Sequence, residues 1–291
     1  MVKVNPSGLL TLDQRPAIDA LLSTLCFGQS EQTLADTTFT NLFLFRAVHD
    51  YRFLMGDWPC ISGRGYDGLR HLVPLFDLRS APSDVLRDLL SKHEAFFPVS
   101  GLQLEGLDQN LFEWTASRDD ADYVYPVSHF LHYRGGLLQK KRNLVKQLRR
   151  AHEVTVQLYS LDVRDEALGV LAQWMQAKGK RAGEADDIAC KVALQLAPEL
   201  GLAGYVFRVE NAMVGFLLTE ELQPEVCVVR FAKANDRLKG IYQHMFQQLC
   251  LAKEEVQWLN FEQDMGIANL RQTKLSYQPA LLLPKYRVHC R

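Results

Sequence analysis

The residue types best suited to chemistry lie close together near the C-terminus, in the run Trp258 to Pro279, WLNFEQDMGIANLRQTKLSYQP. A strand over Val256 to Gln263 would place Asn260 and Glu262 on one face, with Asp264 following at its end. From Ile267 the pattern is helical, so Arg271 and Lys274, three apart, share a face, and Tyr277 follows three further on. A carboxylate pair followed by a cationic pair suits acyl transfer. Glu262 or Asp264 would act as general base, and Arg271 and Lys274 would hold a donor phosphate or the developing oxyanion. The same spacing also has structural readings: Asp264 capping the helix, Glu262 paired with Arg271, Lys274 a solvated charge. The chemical reading requires these groups to gather at the mouth of a cleft.

A second segment, Arg237 to Tyr242, reads RxxGxY. It resembles the R/QxxGxG/A loop of GNAT enzymes, in which backbone N–H groups at a helix N-terminus bind the pyrophosphate of coenzyme A. Tyr242 stands where that loop ends in a small residue, and its ring would crowd a diphosphate. The likeness therefore supports the fold more than it supports coenzyme A as donor, and Gly240 also reads simply as a glycine opening a helix.

Residues Leu137 to His152, LLQKKRNLVKQLRRAH, hold six Lys or Arg and no acidic residue. Wound as a helix, Leu137, Leu138, Leu144, Val145 and Leu148 fall in one stripe, and Arg142, Lys146, Arg149 and Arg150 on the opposite side. That basic face suits an RNA backbone or anionic headgroups, and equally a solvated helix surface. Lys141 projects into the apolar stripe, so its amine must snorkel, find a buried partner or line a site.

Other chemistries find little purchase. His129 and His132 lack a third ligand nearby, and the cysteines Cys26, Cys60, Cys190, Cys227, Cys250 and Cys290 form no CxxC pair, so no metal site is expected and the thiols read as reduced. There is no GxSxG elbow, Walker loop or HExxH. A formal charge of −1 gives the whole molecule no polyanion footprint, so any such site must be local. The N-terminus lacks the apolar core of a signal peptide and no run of eighteen apolar residues occurs, which points to a cytoplasmic chain without a membrane span of its own.

The elements that must position these groups alternate between strand and helix. Tyr51 to Met55, His71 to Phe76 and Phe96 to Val99 read as strands, and Ser83 to His93 as a helix. Later, Leu168 to Met175 reads as helix, Lys178 to Gly183 breaks it, and another helix begins near Asp186. Tyr205 to Val209 and Val214 to Thr219 form a hairpin about Glu210 and Asn211. Glu225 to Phe231 is a buried strand, followed by the helix opened by Gly240 and the strand from Val256. With 291 residues, 47% of them hydrophobic, two domains are expected. We place them at 1–136 and 137–291, with the basic helix 137–152 at the junction. The class is α/β (α+β), each half a mixed sheet flanked by helices.

Two strings then suggest a family. FAKANDRLKGIYQHMF (Phe231 to Phe246) and NFEQDMGIANLRQTKLSYQP (Asn260 to Pro279) resemble the pattern EKA…GxYQ…NREQDLGxxGLRKAKLSYxP of the phosphatidylglycerol lysyltransferase C-terminal domain family, and KKRNLVKQ (Lys140 to Gln147) resembles its KxRN element. The resemblance spans essentially the whole chain. It implies two tandem GNAT-like domains, as in the Fem-type peptidyltransferases, with the active site mainly in the second. It also implies transfer of an aminoacyl group from aminoacyl-tRNA to a lipid hydroxyl or amine. Matching positions are Lys233, Gly240, Tyr242, Asn260, Glu262, Asp264, Gly266, Arg271, Lys274 and Tyr277, and Lys141, Arg142 and Asn143 join the substrate-binding set. Two positions depart: Ala232 stands for a usual Glu and Phe261 for a usual Arg, removing two charges from the expected site. On this reading the partners are aminoacyl-tRNA and an anionic phospholipid or a membrane partner protein, and the chain works peripherally at the inner membrane face. No cofactor is expected; coenzyme A enters only under the alternative of an acyl-CoA-dependent N-acyltransferase. A third reading is a non-catalytic binder of anionic lipid or RNA.

Overall fold

The computed structural model describes residues 3, 4, 8–25 and 28–291. Cys26 lies outside them, as does most of the extreme N-terminus. The chain forms two compact units. Met1–Asp122 and Leu283–Arg291 make the first, and Tyr123–Leu282 make the second. The junction expected at 136/137 therefore falls inside the second unit, and the last strand of the chain returns to the first.

The first unit holds the short strand β1 (Lys3–Val4), the helices α1 (Arg15–Leu22), α2 (Phe39–Leu44) and α3 (Arg46–His49), and then β2 (Arg52–Met55), β3 (Cys60–Arg64) and β4 (Arg70–Pro74). After α4 (Ser83–Leu90) come β5 (Ala95–Val99) and β6 (Phe112–Ala116). The strand β7 (Asp122–Pro126) opens the second unit, with α5 (Ser128–His132), α6 (Gln139–Ala151), β8 (Val154–Leu158), α7 (Arg164–Ala177) and α8 (Asp187–Gln195) behind it. Next are β9 (Ala203–Val209), β10 (Ala212–Gln223), β11 (Val226–Ala234), α9 (Ile241–Ala252), β12 (Trp258–Asn260), α10 (Ala268–Leu275), β13 (Leu281–Leu283) and β14 (Tyr286–Cys290).

Both sheets are mixed. The first runs β1-β2-β3-β4-β5-β14-β6 and the second β13-β7-β12-β11-β10-β9-β8. In the first, β4 and β5 are parallel, and its core packs Leu86 and Leu90 of α4 on Leu72, Phe96 and Val288. In the second, β11 and β12 are parallel and joined by the crossover helix α9, a connection that parallel neighbours need.

Three features of the second unit set up the site. The parallel pairing of β11 with β12 covers only Val226–Val228 against Trp258–Asn260, after which the two strands part and β11 runs on to Ala234 beside β10. Register between β10 and β11 shifts from Leu218↔Phe231 to Thr219↔Val229, so Arg230 is an extra, bulged residue, and such a bulge re-aims the side chains beyond it. Beyond the bulge Ala232 and Ala234 join the core under α9, whereas Lys233 turns to Trp174 of α7. Crevices at the carboxyl ends of parallel strands, where neighbours separate, are where open α/β sheets bind ligands.

Candidate functional site

The expected gathering of Asn260 to Lys274 is present, but its members are satisfied by one another. β12 ends at Asn260 instead of running to Gln263, because Glu262 adopts a left-handed backbone conformation with φ +57°. Asn260 and Glu262 are thus not two teeth of one strand face. The Asn260 side chain, fully buried, accepts the Glu262 backbone N–H at 2.7 Å and shapes the turn.

Asp264 is fully buried and does not cap α10. Its carboxylate accepts both arms of Arg271, Nε at 2.8 Å and Nη2 at 2.8 Å, with further bonds from the Tyr123 hydroxyl and the Gly266 N–H. The hydrogen bonds of Arg271, helped by those of Tyr123 and Gly266 and opposed by burial, hold its pKa well below the ordinary carboxylate range. An enclosed carboxylate so strongly held in its charged form is a poor proton acceptor. Glu262 is engaged elsewhere, receiving Arg230 Nη1 at 2.5 Å, while Arg230 also pairs with Glu220 at 2.7 Å. Arg271, in turn, is forked onto Asp264. Lys274 is neither solvated nor open to a donor: its buried amine donates to the carbonyls of Phe261, Glu262 and Gln263 at 2.6, 3.0 and 2.5 Å. In place of the catalytic quartet the sequence suggested, these residues lock the 261–267 turn at the end of β12.

The remaining expected residues divide between scaffold and surface. Lys233, buried against Trp174 at 4.0 Å, pairs with Asp186 at 2.7 Å. The Tyr242 hydroxyl accepts the Ala234 N–H at 3.2 Å, tying α9 to the end of β11. Tyr277 is buried and its hydroxyl accepts Gln243 Nε2 at 2.6 Å. Gly240 has φ +95°, and a Cβ there would lie 2.3 Å from the Leu144 carbonyl oxygen. The backbone of α6 therefore packs over the start of α9, where a diphosphate would have to sit in a GNAT-type cradle.

Two of the cations assigned to the outer face of α6 turn inward. Arg142 donates to the Tyr133 carbonyl at 2.7 Å and Arg149 to Gln247 Oε1 at 2.9 Å. Lys146 and Arg150 are exposed as expected, as is Asn143, which the family resemblance placed in the substrate-binding set, and the sequence reading missed Lys140 and Gln147 as their neighbours. Helical projection from Lys140 would have found them. Lys140, Asn143, Leu144 and Gln147 line a groove of about 460 Å³ together with Gly136, Leu137 and Gln139. Among the described residues no ion pair involves α6, which is consistent with its lack of any acidic residue.

Lys141 behaves as its projection required. Its amine, half-buried, donates to Ser276 Oγ at 2.7 Å and lies 3.9 Å above the Tyr277 ring. Burial, with a smaller push from Lys140, brings its pKa down to about 8. The Tyr277 ring belongs to an aromatic floor in which Phe261 touches Phe246 at 4.8 Å, Tyr125 at 4.9 Å and Phe130 at 5.3 Å. Ala232, Tyr242 and Phe261 form the part-exposed margin of that floor.

Residues 27–289 match the family described as phosphatidylglycerol lysyltransferase, C-terminal. The chain belongs to that family. No curated protein matches it. A conserved protein of unknown function from Bacteroides thetaiotaomicron VPI-5482 is 26% identical over 100% of both chains with a TM-score of 0.85. L-PGS from Bacillus licheniformis is 12% identical, covering 94% of this chain and 91% of its own, with a TM-score of 0.63. FemX is 11% identical, covering 97% and 96%, with a TM-score of 0.59. At these identities the last two show the fold. The lysyltransferase family and the two mixed sheets flanked by helices together identify a tandem GNAT-like acyltransferase architecture. Departures at Ala232 and Phe261 fall in the margin of the aromatic floor. Among the described residues, none of the helices is long and apolar enough to cross a membrane, and no group of three or more His, Cys, Asp or Glu could hold a metal ion.

Proposed function

We propose that this member of the lysyltransferase family transfers an aminoacyl group from an aminoacyl-tRNA to a hydroxyl or amine of a lipid acceptor. The observation that carries the reading is the basic face of α6. Lys140, Lys146 and Arg150 are exposed, interleaved with the donors Asn143 and Gln147, and unmatched by any carboxylate on the helix. Such a face supplies sequence-independent contacts to a phosphate backbone. Packing of Leu144 against Gly240 counts against the acyl-CoA alternative, since the diphosphate would meet backbone there.

In the proposed step the acceptor O–H or N–H attacks the ester carbonyl carbon of the donor. The bond from that carbon to the ribose oxygen breaks, and the acceptor's proton passes to a base and on to the departing ribose hydroxyl. With Asp264 and Glu262 held in ion pairs, the base we assign is the Lys141 amine. Its pKa of about 8 leaves a usable neutral fraction near neutral pH. The Asp264–Arg271 and Lys274 contacts act as positioning groups that keep the 261–267 turn in place.

Incubation with radiolabelled aminoacyl-tRNAs and a lipid extract tests the reading. Label entering the organic phase supports it and names both substrates. Thermal stabilisation by acetyl-CoA, with none by charged tRNA, would instead favour the acyl-CoA reading, and salt-sensitive RNA or lipid binding without turnover would favour the non-catalytic one.

A further inference from the structure

The carboxylates around the ends of β11 and β12 are each engaged by a cation. Asp186 is paired with Lys233 at 2.7 Å, Asp236 with Lys178, Glu262 with Arg230 at 2.5 Å, and Asp264 with Arg271 at 2.8 Å. The surface between the parting strands is apolar: Ala232 and Phe261 contribute side chains without charge, and the Tyr242 hydroxyl is turned onto the Ala234 backbone. A basic group near this surface is the amine of Lys141, seated over Tyr277, which packs in the same aromatic cluster as Phe261. A cationic side chain arriving here would lose water, meet no uncommitted carboxylate, and face a like charge; an apolar one would gain contact with aromatic rings.

We infer that the group transferred at this site is an aminoacyl group with an uncharged, apolar side chain, and that Ala232 and Phe261 set this preference. The inference rests on the aminoacyl-transfer reading above and goes beyond it by naming the donor class. Discrimination against a charged side chain is expected to be large, because a buried ammonium without a partner is far more costly than a missing methylene is in an apolar pocket.

Two measurements on the full chain decide it. In the first, alanyl-, leucyl-, phenylalanyl-, lysyl- and arginyl-tRNA are compared as donors to the lipid extract. An uncharged donor should lead in kcat/KM by about 100-fold or more over lysyl-tRNA; equal or better use of lysyl- or arginyl-tRNA overturns the inference. Ala232→Glu, which offers an ammonium a counter-charge, should narrow the gap by about tenfold with the fold intact, and an unchanged ratio removes Ala232 from the specificity. The second measurement needs no turnover. Adenosine carrying leucine or lysine through a stable 3′-amide is titrated calorimetrically, and the leucyl analogue should bind more tightly. Tighter binding of the lysyl analogue, or no binding of either, overturns the inference. Binding of the leucyl analogue without transfer from any tRNA would sink the transfer reading and leave the preference standing.

Discussion

Arg271 grips Asp264 in a two-point fork, Nε and Nη2 each 2.8 Å from a carboxylate oxygen, with the carboxylate fully buried and the arginine side chain one third exposed. The asymmetry of burial makes the two truncations unequal. Arg271→Ala strands an ionised carboxylate inside the protein and should cost about 3–5 kcal/mol in a denaturant titration. Asp264→Ala lets Arg271 turn to water, so its cost should be smaller, and the double variant should cost less than the sum. Because Asp264 has a depressed pKa in the folded protein, its stabilisation is present above the unfolded value near pH 4 and is lost as pH falls below it. Equal costs for the two single variants would contradict this account of the turn.

Lys274 has three carbonyl partners on successive residues, which only an ammonium with three donors on a long stem can reach together. Lys274→Met keeps the stem and removes the donors. The carbonyls of Phe261, Glu262 and Gln263 then lose a charged partner, and a loss of about 2–3 kcal/mol is expected. Lys274→Arg should recover little of it, since a planar fork does not match three converging carbonyls. Amide hydrogen exchange should quicken across 261–267 in both variants; protection unchanged there would show that the turn stands without the lysine.

Two buried histidines predict the acid limb of the stability curve. His244 of α9 has neither ring nitrogen hydrogen-bonded and lies 6.2 Å from Phe207; burial, with Arg149 nearby, lowers its pKa to about 4. His71, wedged edge-on between Tyr51 and Phe97, is also lowered to about 4, by burial first and then by His49 and Arg287. Both are neutral when folded and take up a proton near pH 6.5 when unfolded. Their contribution to stability should therefore be flat above that pH and fall between 6.5 and 4, by up to about 1.4 kcal/mol per pH unit for each histidine. His244→Leu should remove the acid slope of the second unit at little cost at pH 7, because no hydrogen bond is lost. An unaltered slope would place the uptake elsewhere.

How much of this could be read from residues alone varied with the range of the contacts. Lys141 was legible because helical projection put a cation where only apolar residues belonged, and the structure gives it Ser276 and Tyr277. The hairpin about Glu210 and Asn211 was legible because two strand-like runs are broken by just two polar residues, and both take the φ > 0 that a two-residue hairpin turn requires, Asn211 by its type and Glu210 under the demand of the turn. The site's internal pairing was not legible. Arg230 sits in the apolar run EVCVVRF, and its partners Glu220 and Glu262 lie on the neighbouring strand and 32 residues downstream, so local pattern gave no hint of the pair. The domain division was missed for a similar reason. β7 directly follows the first unit in sequence yet pairs with β12, and β14 returns to pair with β5 and β6; neither partner choice is encoded in a strand's own residues.

The α6 face gives a prediction that separates binding from folding. Lys140, Lys146 and Arg150 are exposed and outside any ion pair among the described residues, so replacing all three by Gln should leave the melting temperature within about 2 °C. Affinity for charged tRNA should fall, and the slope of log K against log salt should flatten by about one unit per lost phosphate contact. Arg142→Gln and Arg149→Gln should behave in the opposite way, because their guanidinium groups serve the Tyr133 carbonyl and Gln247; stability should drop by about 1–2 kcal/mol with the salt slope unchanged. A triple variant that binds tRNA with the original slope would remove α6 from the proposed donor surface.

Gly240 supplies the sharpest test of how α6 and α9 are joined. Its φ of +95° is one that L side chains rarely adopt, and a Cβ would sit 2.3 Å from the Leu144 oxygen and 2.7 Å from the carbonyl carbon, both backbone atoms that cannot swing aside. Gly240→Ala combines backbone strain with a forced displacement of one helix from the other. A loss of about 3 kcal/mol or more is expected, well above the 1 kcal/mol of strain at an open site with positive φ. Gly135, which has φ +87° and no heavy atom within 4 Å of its Cβ position, is the matched control: Gly135→Ala should cost only the strain. Similar costs at the two positions would mean that the packing of Leu144 on the first turn of α9 contributes nothing to stability, and the steric argument against a diphosphate at that turn would fall with it.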